Sequence, residues 1–198
     1  MATPRRPQPL LIRITHWVNV PVLVIMATSG LEILLAYPFF GPRGAEYDWV
    51  PLSGWMPPEW MRAGGWLAGA RHLHFAFAWA LVINAVIYLG YLGASGEWRR
   101  RLLWKAQPNQ RYGVLQRAAY TGALGLAILE LLSGLAMWKP VQLHRLTSLM
   151  GGYDAARVIH FLALLGLIGF VIGHVVMVAV HWRTFPEMIT GGKREETP

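Results

Sequence analysis

The chain has 198 residues, of which 55% are hydrophobic and 14% charged, and its mean hydropathy is +0.36. In soluble domains about a quarter of all residues are charged. These values therefore exclude an ordinary soluble domain, a disordered chain, collagen and a coiled coil. The chain has no cysteine, which excludes disulfide scaffolds, thiolate zinc sites and iron–sulfur clusters. The net charge of +8 is typical of a protein that binds nucleic acid or a membrane surface. Ten Trp and long apolar runs favour the membrane.

Four apolar stretches are long enough to cross a bilayer, for which a helix needs about 20 residues. They cover residues 11–37, 71–92, 113–138 and 155–182. In none of them do apolar and polar residues alternate as they do in the strands of a membrane β-barrel. The sequence therefore predicts an all-α integral membrane protein, with residues 1–198 forming a single membrane domain built as a four-transmembrane-helix bundle. We expect no cleaved signal peptide, because Arg13, His16 and Asn19 make the first apolar run too polar.

The distribution of Lys and Arg predicts the orientation of the spans, because cytoplasmic segments carry the excess. Twelve fall at the two ends of the chain or between the second and third spans: Arg5, Arg6, Arg13, Arg99, Arg100, Arg101, Lys105, Arg111, Arg117, Arg183, Lys193 and Arg194. Six fall on the other side: Arg43, Arg62, Arg71, Lys139, Arg145 and Arg157. We therefore expect both termini in the cytoplasm. Topology explains the basic charge more simply than nucleic acid, so no nucleic-acid partner is expected.

Two loops lie on the outer side, at residues 39–70 and 140–154. The first carries four Trp, namely Trp49, Trp55, Trp60 and Trp66. These side chains suit either a belt at the membrane interface or a docking surface for a partner. The second loop is predicted to hold a short interfacial helix over residues 141–150, ended by Gly151 and Gly152.

Three histidines share one local pattern, with an Arg three residues before the His and an aromatic residue after it. The copies are Arg13-Ile-Thr-His16-Trp17, Arg71-His-Leu-His74-Phe75 and Arg157-Val-Ile-His160-Phe161. Residues three apart share a helix face, so each Arg lies one turn closer to water than its His. This arrangement suits a haem whose iron is bound by imidazole and whose propionate is bound by the forked guanidinium.

Depth in the membrane predicts how the histidines pair. His160 and His174 lie fourteen residues apart on nearly the same face of the fourth span, separated by about 21 Å along the helix. Counted from the ends of antiparallel spans, His16 lies level with His174, and His74 with His160. The sequence therefore predicts two bis-histidine sites with these four residues as axial ligands of two haem irons. Haem b is favoured because carboxylates are lacking near the histidines and thiolates are absent.

Glycines on the same spans offer room for a planar cofactor. Gly30 follows His16 by fourteen residues, which places it on the same face at the depth of the outer site. Gly166, Gly169 and Gly173 lie along the fourth span. Close packing between helices is the alternative reading of these glycines.

The remaining polar residues leave alternatives open. His72 competes with His74, but the two differ by about 200° around a helix, so only one can face the site; the shared pattern favours His74. His181 could contact a propionate or a quinone, or lie at the membrane interface. His144 could face a partner or water. Glu130 is interpreted as a hydrogen-bonded neutral carboxyl rather than part of a proton path, and no chemistry is assigned to it.

These features resemble the bacterial cytochrome b561 / nickel-hydrogenase cytochrome b family, which includes membrane subunits of formate dehydrogenase and thiosulfate reductase. The matching residues are His16, the Arg-x-x-His-Phe motifs ending at Phe75 and Phe161, and the spacing of His160 and His174. The resemblance implies two haems b, a location in the bacterial cytoplasmic (inner) membrane, and electron transfer between an outer partner and the quinone pool. It also implies a quinone site near the cytoplasmic-side haem.

A narrower similarity concerns residues 138–142 and 151–157, which are similar to members associated with periplasmic molybdopterin oxidoreductases. It implies that the outer loops dock a periplasmic redox subunit, either such an oxidoreductase or a cytochrome c. The sequence thus favours a di-haem b electron conduit whose oligomeric state is open. The alternatives are a stand-alone cytochrome b that oxidises a small donor such as superoxide, and a haem-free transporter or scaffold.

Overall fold

The computed structural model describes residues 8–41, 52, 54–102 and 111–192, and these contain four long helices and no strand. The helices are α1 (Leu10–Ala36), α2 (Leu67–Ser95), α3 (Arg111–Trp138) and α4 (Tyr153–Val180). All four are long and apolar enough to cross a membrane. The predicted four-helix membrane fold is confirmed, with α2 longer at both ends than expected. Several residues of the charge and Trp patterns lie outside the described residues: Arg5, Arg6, Arg43, Trp49, Lys105, Lys193 and Arg194.

Proline and glycine set the helix boundaries. Pro9 immediately precedes α1, where its missing N–H costs no helical hydrogen bond. Gly96 ends α2 with a left-handed φ of 71°, a conformation that glycine adopts without a steric penalty. Gly152 precedes α4 with a φ of 99°. Pro21 lies inside α1, and the helix continues through it.

The helices pack as two hairpins, α1 against α2 and α3 against α4. The side chains are distributed inside out relative to a soluble protein. Large apolar residues such as Ile83, Ile172 and Val175 are exposed on the outside, whereas the small polar residues Ser29 and Ser133 are fully buried. This distribution suits a lipid solvent, in which polar groups need partners within the protein.

Asn84 of α2 is a buried polar link within the first hairpin. Its side-chain amide donates hydrogen bonds to the backbone carbonyl of Thr15 at 2.8 Å and to Oδ1 of Asn19 at 2.7 Å. Both acceptors belong to α1. The side chain therefore fixes the register of α1 against α2.

Short segments of the two outer loops pack onto the ends of the long helices. In the second outer loop the helix covers only His144–Leu149, so the prediction of a helix over 141–150 was too long. Residues 140–143 form turns instead, while Thr147 anchors the short helix by donating to the carbonyl of Ala136 at 3.1 Å. In the first outer loop, Arg62 pairs with Glu32 of α1 at 3.6 Å.

Replacing Asn84 with Leu is expected to lower the free energy of unfolding by about 1 kcal/mol, the usual scale for hydrogen bonds between membrane helices. Unfolding in mixed micelles, followed by circular dichroism, measures the change. Ile83→Leu is the matched control, because Ile83 is 60% exposed on the outer surface. Equal stability of Asn84→Leu and the control would contradict the role given to Asn84.

Candidate functional site

His74 of α2 and His160 of α4 face each other across the junction of the two hairpins. Their ring centres lie 6.3 Å apart, with an angle of 65° between the ring planes. The two residues share the depth that the sequence assigned to the outer site. Both side chains are only partly exposed. We call this pair, with the side chains that contact it, the outer site.

A serine and a glycine from the neighbouring helix hold each ring of the outer site. Ser29 Oγ of α1 lies 3.1 Å from Nδ1 of His74, and Ser133 Oγ of α3 lies 3.0 Å from Nδ1 of His160. A Cβ added at Gly30 would come within 3.3 Å of Cε1 of His74, the ring that packs against this glycine. The room that Gly30 provides is therefore taken up by an imidazole.

The second hairpin repeats this contact. A Cβ at Gly134 would lie 3.4 Å from Cε1 of His160, just as Gly30 faces His74. Each hairpin thus makes the same two contacts at the outer site. A serine and the glycine that follows it on the first helix both contact the histidine of the second helix.

His16 of α1 and His174 of α4 form a second pair, which we call the inner site. Their ring centres are 5.9 Å apart and the ring planes are inclined by 64°. Phe170 stacks on His174 at a centroid distance of 5.9 Å. The two sites therefore combine α4 with α1 at one depth and with α2 at the other, so both lie between the hairpins.

Arg13 lies one turn before His16 and is covered by the segment that follows α4. Its Nη1 lies against Gly191, and a Cβ at this position would clash with it, so the guanidinium occupies room that only glycine leaves. Trp17 Nε1 donates a hydrogen bond to the carbonyl of Met188 at 3.0 Å, which fixes the same segment on α1. Nε of Arg13 is buried and has no hydrogen-bond partner among the described residues.

The other two arginines of the repeated pattern differ from Arg13. Arg157 donates to the carbonyls of Tyr37 at 2.7 Å and of Phe39 at 2.9 Å, so it binds the end of α1. These bonds use two of its five N–H donors. Arg71 lies over the ring of Phe75 at 5.8 Å. Propionate binding by these arginines stays a prediction.

The remaining candidates fall outside the two pairs. His72, His144 and His181 are exposed. On α4, a Cβ at Gly166 would meet Leu126 of α3 at 3.0 Å, which indicates close helix packing at this glycine. At Gly169 and Gly173 of the same helix an added Cβ would meet nothing within 4 Å.

The two histidine pairs fit a haem. A metal–imidazole bond is about 2 Å long, so two rings bound to opposite faces of one metal have centres about 6 Å apart. Both observed ring distances agree with this value. The buried, unpartnered Nε of Arg13 in addition offers a donor to an anionic group near the inner site. Among the described residues no group of three or more His, Cys, Asp or Glu side chains is placed to hold a metal ion.

Sequence reasoning missed Ser29 and Gly134, and it gave no role to Ser133, a polar residue within the third span. A signal was present, because Ser-Gly-Leu occurs at residues 29–31 and again at 133–135. Together with the repeated Arg-x-x-His motif on α2 and α4, this marks an internal repeat of the two hairpins. The contact between Oε2 of Glu130 and Nδ1 of His160 at 2.6 Å had no such signal. The prediction that carboxylates are lacking near the histidines was wrong at this position, because α3 brings Glu130 against His160.

Comparison with known proteins agrees with this geometry. The family model described as prokaryotic cytochrome b561 matches residues 8–191. The chain belongs to this family, and it is a multi-pass bacterial inner membrane protein that binds b-type haem and serves in electron transfer.

A curated relative from Azospira oryzae is 38% identical over 91% of this chain and 93% of its own length. Its name is "Putative protein-methionine-sulfoxide reductase subunit YedZ1". No solved structure matches the chain.

Replacing Gly30 with Leu is expected to lower the haem content per chain, because the added side chain would displace the ring of His74. Gly134→Leu should have the same effect through His160. Gly122→Leu on α3 is the control, since a Cβ there meets nothing within 4 Å. The haem-to-protein ratio by pyridine haemochrome assay is the measurement, and an unchanged ratio in both site variants would refute the close approach.

Proposed function

We propose that this chain is a di-haem b conduit that transfers electrons between the quinone pool and a redox partner on the outer side of the membrane. The observation that carries the proposal is the presence of two histidine pairs at two depths, 5.9 Å and 6.3 Å between ring centres. Each haem, when bound, supplies one-electron redox chemistry at its iron. Membership of the cytochrome b561 family supports this function over a haem-free transporter or scaffold.

The axial ligands are His16 and His174 at the inner site, and His74 and His160 at the outer site. Ser29 and Ser133 orient the outer imidazoles through Nδ1, so that each ring presents Nε2 to the metal. The inner imidazoles are oriented by packing instead, with Phe170 stacked on His174.

Arg13, Arg71 and Arg157 are the candidates for propionate contacts. Arg13 is the strongest, because its buried Nε has no other partner among the described side chains and carbonyls. A carboxylate beside it would satisfy this donor and offset the cost of burying the guanidinium. Arg157 would keep its bonds to the end of α1 and offer its remaining donors.

The quinone is proposed to bind in a groove beside the inner site. The groove is formed by one face of α1 and by the segment after α4, and its walls include Arg13, Trp17, Met188 and Ile189. Its lining is mainly apolar, which suits a lipid-soluble ring. Because the twelve-to-six distribution of Lys and Arg favours cytoplasmic termini, this groove would open at the cytoplasmic side.

The partner is proposed to be a periplasmic molybdopterin oxidoreductase that reduces oxidised methionine. The name of the Azospira oryzae relative, a subunit of a protein-methionine-sulfoxide reductase, supports a partner that reduces oxidised methionine. Because a reductase consumes electrons, it also supports electron flow towards the partner. The molybdopterin assignment rests on the similarity of residues 138–142 and 151–157. Trp60 and Trp66 of the first outer loop are 81% and 67% exposed, so they are available for docking or for the membrane interface.

The haem content of histidine variants tests the function. Wild-type protein is expected to hold two haems b per chain, and His160→Ala and His16→Ala one each. His72→Ala is the matched control and should hold two, because His72 is exposed. The assay is the pyridine haemochrome with dithionite-reduced minus oxidised spectra on detergent-purified protein.

Two outcomes would overturn the proposal. Absence of haem after expression with ample haem supply would remove the conduit altogether. Two haems in His160→Ala would show that the outer site is assigned to the wrong residues.

Reduction by a soluble quinol tests the direction and the groove. A quinol analogue is expected to reduce both haems anaerobically, and Ile189→Trp should slow this reduction by narrowing the groove, while the dithionite-reduced spectrum stays unchanged. Reoxidation should require the added partner with a methionine sulfoxide substrate. Turnover with superoxide and quinone, without any partner, would instead support the stand-alone cytochrome.

A further inference from the structure

Glu130 of α3 contacts the histidine of the outer site directly. Its Oε2 lies 2.6 Å from Nδ1 of His160, and its side chain is 14% exposed. Nδ1 of His160 has two further neighbours, Oγ of Ser133 at 3.0 Å and the backbone carbonyl of Glu130 at 3.1 Å. The carboxyl oxygen is the nearest of the three.

The direction of this hydrogen bond follows from the haem assignment. If Nε2 of His160 binds the iron, the hydrogen of a neutral imidazole is on Nδ1, and Nδ1 is a donor. The hydroxyl of Ser133 already lies 2.7 Å from the carbonyl of Leu129, to which it donates. Its oxygen can still accept from Nδ1, but it lies at 3.0 Å, whereas Oε2 of Glu130 lies at 2.6 Å. The shorter distance makes Oε2 of Glu130 the principal acceptor of the Nδ1 hydrogen.

The repeat of the two hairpins supplies an internal comparison. Glu130 precedes Ser133 by three residues, and the residue three before Ser29 is Met26. Met26 offers His74 only its backbone carbonyl. The two imidazoles of the outer site thus have matching serine contacts but differ in one side chain, and the carboxyl is on the α3 side alone.

The inner site lacks this contact. Among the described residues, neither His16 nor His174 makes a side-chain hydrogen bond, and both have only ring contacts. The carboxyl–histidine hydrogen bond therefore distinguishes one of the four proposed axial ligands from the other three.

We propose that Glu130 is a positioning residue that lowers the reduction potential of the outer haem by accepting a hydrogen bond from Nδ1 of His160. This inference rests on the proposed function, since it requires a haem between His74 and His160. A carboxyl acceptor on the outer nitrogen of a ligating imidazole makes the imidazole a stronger electron donor to the metal. Stronger donation stabilises the ferric over the ferrous state, which lowers the potential.

The two proposed haems would then differ in reduction potential. The outer haem is made a stronger reductant towards the partner on that side, while the inner haem stays closer to the potential set by unassisted imidazoles. Ser29 and Ser133 orient the rings, and Glu130 alone adds the carboxyl contact.

Two substitutions of Glu130 test the inference by spectroelectrochemical titration. Glu130→Gln keeps the shape and a weaker acceptor, and Glu130→Met copies the side chain of the first hairpin. The outer haem potential is expected to rise in Glu130→Gln and to rise further in Glu130→Met, with the inner haem unchanged. The His16→Ala background, which retains only the outer haem, assigns the step that moves.

Electron paramagnetic resonance of the oxidised protein separates ligand donation from a general charge effect. The g-values of one low-spin haem are expected to shift in both Glu130 variants. Two controls should leave the g-values of both haems in place. Glu32→Gln removes a carboxyl that pairs with Arg62 instead of a histidine, and Met26→Leu changes a side chain whose contact with His74 is through the backbone.

Each outcome is decisive. Two haems with an unmoved outer potential in both Glu130 variants would overturn the inference and leave the proposed function intact. Loss of the outer haem in Glu130→Gln would also overturn it, because Glu130 would then be needed for assembly and not for the potential. Fewer than two haems in the wild-type protein would overturn the proposed function itself.

Discussion

A polar side chain inside a bilayer must find its partner within the protein, and four histidines within the spans of this chain make that demand. The structure meets it by placing them in two pairs where one hairpin faces the other. Both hairpins must dock in one orientation for these rings to meet. Arg157 of α4 helps to fix that orientation by bonding the end of α1, while Asn84 fixes the register within the first hairpin.

The two hairpins share sequence motifs and contacts, and they differ at a few positions that bear on the two sites. Ser-Gly on the first helix and Arg-x-x-His on the second occur in both. A cofactor held between two such halves receives one ligand from each, which is a common position for sites in membrane proteins built from repeats. The inner site breaks the repeat, since its two histidines come from α1 and α4. Glu130 breaks it at the outer site.

Each end of the bundle is closed by chain outside the four spans. On one side the segment around Met188 and Gly191 lies on the start of α1 and covers Arg13. On the other side Arg62 reaches Glu32, and the helix His144–Leu149 is anchored to the end of α3. Both segments lie against buried polar atoms, Nε of Arg13 on one side and Oε2 of Glu32 on the other. Hydrogen bonds and charges are stronger where the local dielectric is low.

The sequence by itself determined the four spans and the depth of each histidine. Helix length follows from bilayer thickness, and a fixed rise of about 1.5 Å per residue converts sequence spacing into depth. For that reason His16 could be matched with His174, and His74 with His160, before any fold was known. Haem ligation by these pairs stays a prediction until the haem content is measured.

Only the tertiary structure decided which side chains contact Nδ1 of these imidazole rings. Contacts of Ser29 with His74 and of Glu130 with His160 depend on how each helix is rotated about its axis and how closely its neighbour approaches. The same holds for Arg157, which the sequence assigned to a propionate and which binds the carbonyls at the end of α1. Spacing along one helix fixes a depth and a face, but a partner on another helix is chosen by packing.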